Sequence, residues 1–205
     1  MRKQRPRGST TRQAIINAAL TIADRDGVDR LTIRSVAALV DAPPMSLYTH
    51  FANKEQLLDL MYEEILRRMY AYEGHSTWQD ELRAMCNRVR RILTNHPRWT
   101  ALLSRSASPS ATPLRESILS VMAVDGLAPA DGLTAVYAAA LSSMGLVLVE
   151  AALTSTSGYP SLEERFDVRT RAATSRHGRF DVERIFQCFV DTFIVGLEAR
   201  RVDDQ

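Results

Sequence analysis

The chain has 205 residues, of which 45% are hydrophobic and 24% charged, a balance that supports a sizeable core in one large or two small domains. Cys86 and Cys188 lie far apart with no CxxC spacing, which argues against a zinc site or a disulfide framework and suits a reducing cytoplasm. No uninterrupted run approaches the ~18 apolar residues of a membrane span, and the basic N-terminus leads into a stretch broken by Asn17 and Thr21 without a cleavage-site pattern, so a signal peptide is not expected.

The net charge of +2 hides an asymmetry. Residues 1–54 carry nine Lys/Arg against four acids, leaving +5, whereas the rest carries 17 basic and 20 acidic groups, leaving −3. A basic head on a mildly acidic body points to a polyanionic partner for the head. Arg2, Lys3, Arg5 and Arg7 form an arm that either reaches phosphates or the minor groove, or is a solvated tail.

Helical periodicity dominates along the chain, and strand patterns are nearly absent. The first helix is expected from about Thr10 to Asp26, burying Ile15, Ile16, Ala19, Leu20, Ile22 and Ala23, with Gly27 as the left-handed residue that ends it. Thr32 reads as the N-cap of a second helix over Ile33–Val40. After "DAPP" a third is expected from Pro44 to Phe51, and Asn53 caps a fourth. The fourth spaces Leu57, Leu58, Met61, Ile65, Leu66, Met69 and Tyr70 by threes and fours until Gly74 and Ser76 break the pattern. A fifth carries Trp78, Leu82, Met85, Cys86, Val89, Ile92 and Leu93 on one stripe and stops at His96-Pro97. A helical turn over Pro97–Leu103 precedes the loop "SRSASPSATP", and Pro113 suits the start of a helix that ends near Gly126. Two long helices follow, Pro129–Thr154 and Asp181–Arg200, separated by a stretch with little period.

The second and third helices have the pattern of a helix-turn-helix, a unit that places its second helix in the DNA major groove. Val36 and Val40 face the core, Ala37 leaves room for the crossing helix, and Ala42 and Leu47 complete the cluster. Pro43 and Pro44 restrain the turn, with Pro44 tolerated at a helix start because its missing N–H had no partner there. Leu47 points inward. Met45, Ser46, Tyr48, Thr49 and His50 lie mostly on the other sides, where hydroxyls and imidazole suit phosphate oxygens and the methionine suits a thymine methyl. Lys54, one of two lysines in the chain, sits at the start of the fourth helix, where the helix dipole also favours a phosphate. Phe51 is a core aromatic.

The run "LTIRSVAALVDAPPMSLYTHFANKEQLLDLM", and "LYTHFANKEQLL" above all, resembles the tetracycline-repressor (TetR) family of bacterial transcriptional regulators. One departure is Asp41, where the family often has glycine; Asp tolerates a left-handed backbone better than most residues. The resemblance makes Thr32 and Arg34 DNA contacts from the second helix, Pro44, Met45, Ser46, Tyr48, Thr49 and His50 contacts from the third, and Lys54 a phosphate clamp. "TWQDELRAMCNRVRRIL", the "HPRW" after it and the long apolar helix resemble the tetracycline-repressor type of C-terminal domain. The implied fold is all-α: an N-terminal three-helix helix-turn-helix domain over 1–54, continuing into a linking helix over 54–73, then a helical effector-binding and dimerisation domain over 74–205.

That resemblance also implies a cytoplasmic homodimer whose last two long helices form the interface, a palindromic double-stranded operator, and a small-molecule effector that releases the DNA. No cofactor and no membrane are implied. Candidate effector-lining residues are Tyr62, Leu66, Met69, Tyr70, Met85, Val89, Trp99, Leu103, Tyr137 and Met144, since aromatic and methionine side chains suit a lipophilic pocket. Tyr70, Met85 and Leu103 fall where tetracycline repressors place polar drug- or magnesium-binding groups, so an apolar effector and no metal are expected. His50, His75, His96 and His177 are scattered, and neither a nucleophile elbow nor a phosphate loop is present, so catalysis is not expected. The competing reading is a DNA-compacting protein with little sequence preference.

Overall fold

The computed structural model describes residues 10–103, 129–155 and 182–203. The N-terminal arm, the Ser/Pro-rich loop with the helix expected from Pro113, and the stretch before the last helix lie outside them. Among the described residues no strand occurs. The helices are α1 (Arg12–Asp26), α2 (Ile33–Leu39), α3 (Pro44–Leu47), α4 (Lys54–Met69), α5 (Trp78–Asn95), α6 (Thr100–Leu103), α7 (Pro129–Ser155) and α8 (Val182–Asp203), with 3₁₀ turns at Val28–Arg30 and Pro97–Trp99. They fall into two units: residues 10–68 with 96–103, and residues 69–95 with 129–155 and 182–203.

In the first unit, the apolar stripe of α1 is buried as its spacing requires. Thr11 caps the helix by accepting from the Ala14 N–H at 3.1 Å, so the helix starts at Arg12 rather than at about Thr10. Gly27 ends it with φ +89° and ψ 156°. That is not the left-handed helical conformation expected, but an extended one with positive φ, which glycine also tolerates best. Leu31, Val36, Ala37, Leu47, Phe51, Leu57, Met61 and Ile65 complete the core. Val40, expected in it, is half-buried as the C-cap of α2, and Ala42 is half-buried beside it.

The segment after α5 folds with the N-terminal unit, so the boundary expected at residue 74 is not a single cut. Residues 96–99 occupy the C-terminal end of α1. His96 Nδ1 lies 3.0 Å from Asp24 Oδ2, Arg98 donates to the carbonyls of Asp24 and Arg25, and Trp99 Nε1 donates to Leu20 O at 3.4 Å. Carbonyls in the last turn of a helix lack helical partners, so side-chain donors are accommodated there.

The second unit is built on α5. Trp78, Leu82, Met85 and Cys86 pack with Ala135, Val136, Ala139 and Ala140 of α7 and with Phe186, Val190, Ile194 and Leu197 of α8. Polar pairs line the seam between α5 and α8: Gln79–Glu198 at 2.8 Å, Arg83–Asp191, Asn87–Gln187 at 2.8 Å and Arg90–Glu183. Arg90 also meets Glu150 of α7 at 3.2 Å and lies 5.4 Å over the Phe186 ring. By length and mean hydropathy Gly132–Glu150 could cross a membrane, which a count of uninterrupted apolar residues misses. Its Ala135, Val136, Ala139, Ala140 and Ser143 are nonetheless buried in the unit, as in a core helix.

The fourth helix ends at Met69, short of the linking helix expected to residue 73. Arg88, buried on α5, donates to the carbonyls of Met69 and Ala71 and pairs with Glu73. The buried Glu81 accepts from the backbone N–H groups of Glu73 (3.1 Å) and His75 (3.3 Å). Side chains thus supply the partners that another helical turn would have supplied. Arg88 holds the Glu73 carboxyl below its ordinary range, first through its hydrogen bond and then through its charge.

Candidate nucleic-acid interface

The geometry of the helix-turn-helix is fixed locally. Thr32 and Ser35 form a reciprocal capping box at the start of α2: Thr32 Oγ1 accepts from Ser35 N at 3.1 Å, and Ser35 Oγ accepts from Thr32 N at 3.2 Å. At the other end, the Ala42 N–H donates to Ala37 O at 3.0 Å while Asp41 takes φ +52°. Asp41 therefore does stand in a left-handed conformation, as a residue replacing a turn glycine must. Pro43, extended at φ −61° and ψ 136°, then delivers the chain into α3 with Pro44 in the first turn.

The third helix is shorter than expected. It ends at Leu47, and the chain continues through tight turns in which the N–H groups of Thr49 and His50 donate to Ser46 O (3.4 Å) and Leu47 O (2.9 Å). Hydroxyls join in: Ser46 Oγ donates to Pro43 O and Thr49 Oγ1 to Ser46 O, both at 2.7 Å. Such local bonds compete with the α-helical ladder. Asn53 caps α4 by accepting from Gln56 N at 2.9 Å, and the Gln56 side chain reaches back to Ala52 N.

These constraints decide what the surface offers. Leu47 and Phe51 are buried. Thr32, Arg34, Pro44, Met45, Ser46, Tyr48 and Thr49 are exposed, and His50 and Lys54 are half-buried. Met45 is 77% exposed and Tyr48 44%, the latter 6.1 Å from the Phe51 ring at a tilt of 55°. The hydroxyls of Thr32, Ser46 and Thr49 already hold protein partners, so they meet DNA as acceptors unless those bonds open. Arg25 is tied to Asp26 at 2.7 Å, which lowers the Asp26 pKa chiefly through that hydrogen bond. Arg34 and Lys54 have no ion pair among the described residues, leaving their charges available for phosphates.

The effector candidates do not form one described group. Tyr62, Leu66, Trp99 and Leu103 belong to the first unit, and Met69, Tyr70, Met85, Val89, Tyr137 and Met144 to the second. Leu66, Met69, Met85, Val89 and Trp99 are buried in packed interior, Tyr62, Tyr70, Leu103 and Met144 are half-buried, and Tyr137 is exposed. The sequence stripe had no signal for the buried charges Glu64, Glu81 and Arg88, each of which is held by charged or backbone partners.

A capped helix-turn-helix that exposes its second helix on a basic head, followed by a separate helical unit, defines a DNA-binding regulator. Residues 15–61 match the model of the bacterial regulatory proteins of the tetR family, and residues 72–200 match the tetracyclin repressor-like C-terminal domain. The chain belongs to the TetR family of transcriptional regulators and is not an enzyme. It is 30% identical to the class D tetracycline repressor of Escherichia coli, over 92% of this chain and 89% of that protein. An HTH-type transcriptional regulator of Saccharopolyspora erythraea is 31% identical over 73% of this chain, and the match spans 64% of that protein. The apo structure of ActR from Streptomyces coelicolor shares the fold with a TM-score of 0.73 at 21% identity, covering 97% of this chain and 99% of that one.

Proposed function

We propose that the protein is a cytoplasmic, homodimeric repressor that binds a palindromic operator and leaves it when an apolar small molecule binds. Thr32, Arg34, Pro44, Met45, Ser46, Tyr48, Thr49, His50 and Lys54 contact the DNA. The observation that carries this reading is the α7 face. Tyr137, Leu141, Leu148 and Val149 are exposed with Ser142 and Gly145 between them, and Val195 is exposed on α8. The α7 residues share one side of the helix at spacings of three, four and seven, an apolar stripe that calls for cover. A second copy supplies it symmetrically, and a two-fold dimer presents two recognition helices to two half-sites.

The effector reading is supported by the apolar cluster of the second unit, which brings aliphatic, aromatic and sulfur-bearing side chains of three helices together. A similar fold, ActR from Streptomyces coelicolor, has been solved in complex with actinorhodin. An effector releases DNA by binding the DNA-free conformation more tightly, and ~1–3 kcal/mol of coupling is the usual scale.

The test is a binding selection from random duplexes with the full chain, followed by fluorescence anisotropy on the winning and a scrambled duplex. A palindrome preferred by ~10³-fold or more at physiological salt, and lost in Tyr48→Ala, is the expected result. Equal affinity for every duplex would favour the DNA-compacting alternative.

A further inference from the structure

The recognition segment is short of the groups that read base edges by hydrogen bonding. Residues 43–50 read PPMSLYTH and contain no Arg, Lys, Asn or Gln. Those are the side chains that pair bidentately with guanine or adenine in the major groove. The hydroxyl hydrogens of Ser46 and Thr49 are given to backbone carbonyls at 2.7 Å. Tyr48 keeps one hydroxyl, and the two ring nitrogens of His50 belong to a half-buried imidazole. What the segment chiefly offers is apolar: the Met45 side chain, 77% exposed, between two exposed prolines and the half-exposed Tyr48 ring.

Position adds to composition. Met45 follows Pro44 in the first turn of α3, and the N-terminal residues of a recognition helix are those that reach base edges. Pro43 and Pro44 fix the backbone that carries it. In the major groove, the C5-methyl group of thymine is the base-edge feature that an apolar side chain recognises.

We infer that each operator half-site is read beneath α3 largely through thymine methyl groups, with Met45 packing against one of them. The inference rests on the reading of the protein as a sequence-specific regulator and specifies the chemistry of its partner. Arg34, exposed on α2 and without an ion pair among the described residues, supplies a guanidinium for a guanine or a phosphate flanking that step.

The test replaces thymines of the selected operator, one at a time, by deoxyuracil, which lacks only the methyl group. At one thymine per half-site, wild type should lose about fourfold in affinity, the worth of one buried methyl group. Changing both half-sites should cost roughly fifteenfold, because distant sites add. In Met45→Ala the thymine and deoxyuracil duplexes should bind equally; the exposed position leaves folding intact, checked by an unchanged melting curve. Specific binding that tolerates every deoxyuracil, or a methyl effect that persists in Met45→Ala, overturns the inference while leaving a sequence-specific regulator. A selection that yields no preferred sequence defeats that underlying reading instead.

Discussion

The imidazole of His96 lies flat on the indole of Trp99, ring centroids 3.9 Å apart and planes within 7°. On the same aromatic pair, Arg68 sits 5.7 Å over the indole and reaches Asn17 Oδ1 at 2.7 Å. Trp99 thus joins α1, α4 and the turn after α5 inside the N-terminal unit. Trp99→Ala removes a buried aromatic and the donor to Leu20 O, and should cost about 3–5 kcal/mol. Trp99→Phe keeps the packing and should cost much less. Urea unfolding of the two variants separates volume from hydrogen bonding; equal losses would show that the N–H, not the ring, holds the segment.

Glu64 gives the unit an acid-sensitive point. Its carboxylate accepts from Arg67 at 2.7 Å and Arg68 at 2.8 Å, and its pKa falls from 4.5 to about 2. The Arg67 hydrogen bond is the largest cause and burial opposes it. A carboxylate with a lowered folded pKa stabilises fully above its unfolded pKa, and that stability drains away between about pH 4.5 and 2. The loss should be on the order of 1–3 kcal/mol, since the exposed Arg67 is partly screened by water. Glu64→Gln should be less stable at pH 6 and lose less between pH 5 and 3. Parallel curves for both proteins would place the acid sensitivity elsewhere.

Asp41 is the described non-glycine residue with positive φ, at +52°. Asp41→Gly removes the steric cost of a side chain there and should stabilise by about 0.5–1 kcal/mol; Asp41→Val should destabilise by at least as much. The glycine variant also deletes a negative charge from the head, so its DNA affinity should rise more at low salt than at high salt. Thermal melting and anisotropy report the two effects separately. A glycine variant that melts lower would mean that the Asp41 side chain contributes more than its backbone costs.

Much of this was legible in the sequence. Periodicity places α1, α5 and α8 because apolar residues at threes and fours leave a helix no other way to bury one face; α7 was legible instead as a long run of small and apolar residues opened by Pro129. Thr32 and Asn53 were readable as caps for the same local reason. The end of α3 was not, since Tyr48, Thr49 and His50 are compatible with a helix, and the tighter turns show only in the backbone bonds of Thr49 and His50 and the hydroxyl bonds of Ser46 and Thr49. The end of α4 depends on Arg88, 19 residues away in sequence, and no local pattern announces such a partner. The effector candidates show the deepest limit: Met85 and Val89 lie on an apolar stripe whether that stripe faces a packed neighbour or a ligand.

Leu141, 62% exposed, is the centre of the α7 stripe and the place to test the dimer. Leu141→Glu puts a charge where a second copy should pack, and an unpaired buried charge is strongly unfavourable. The variant should sediment as a monomer at micromolar concentration with unchanged helicity. It should bind a single half-site as wild-type heads do, while losing the affinity gained by engaging two half-sites together. A variant that stays dimeric would move the interface off this face.

The 30% identity to the class D tetracycline repressor makes tetracycline the obvious effector to try, and it should fail. In the resemblance on which the candidates rest, Tyr70, Met85 and Leu103 occupy positions where tetracycline repressors use polar or metal-binding groups. Met85 is a buried member of the α5–α7–α8 core, and Tyr70 packs against that core half-buried. A thioether and a leucine donate no hydrogen bond and hold no hard cation, since magnesium takes oxygen ligands in near-octahedral geometry. Placing a polar, magnesium-bound drug against them would strip water from charged and hydroxyl groups without replacing it. Calorimetry with tetracycline and magnesium should therefore show no tight binding, and operator-bound protein should stay bound on adding both. An apolar polycyclic probe should bind and release the operator whether or not a chelator is present. Tight binding of tetracycline that a chelator abolishes would show that other residues hold the metal, and would return the effector site to the class of its tetracycline-binding relative.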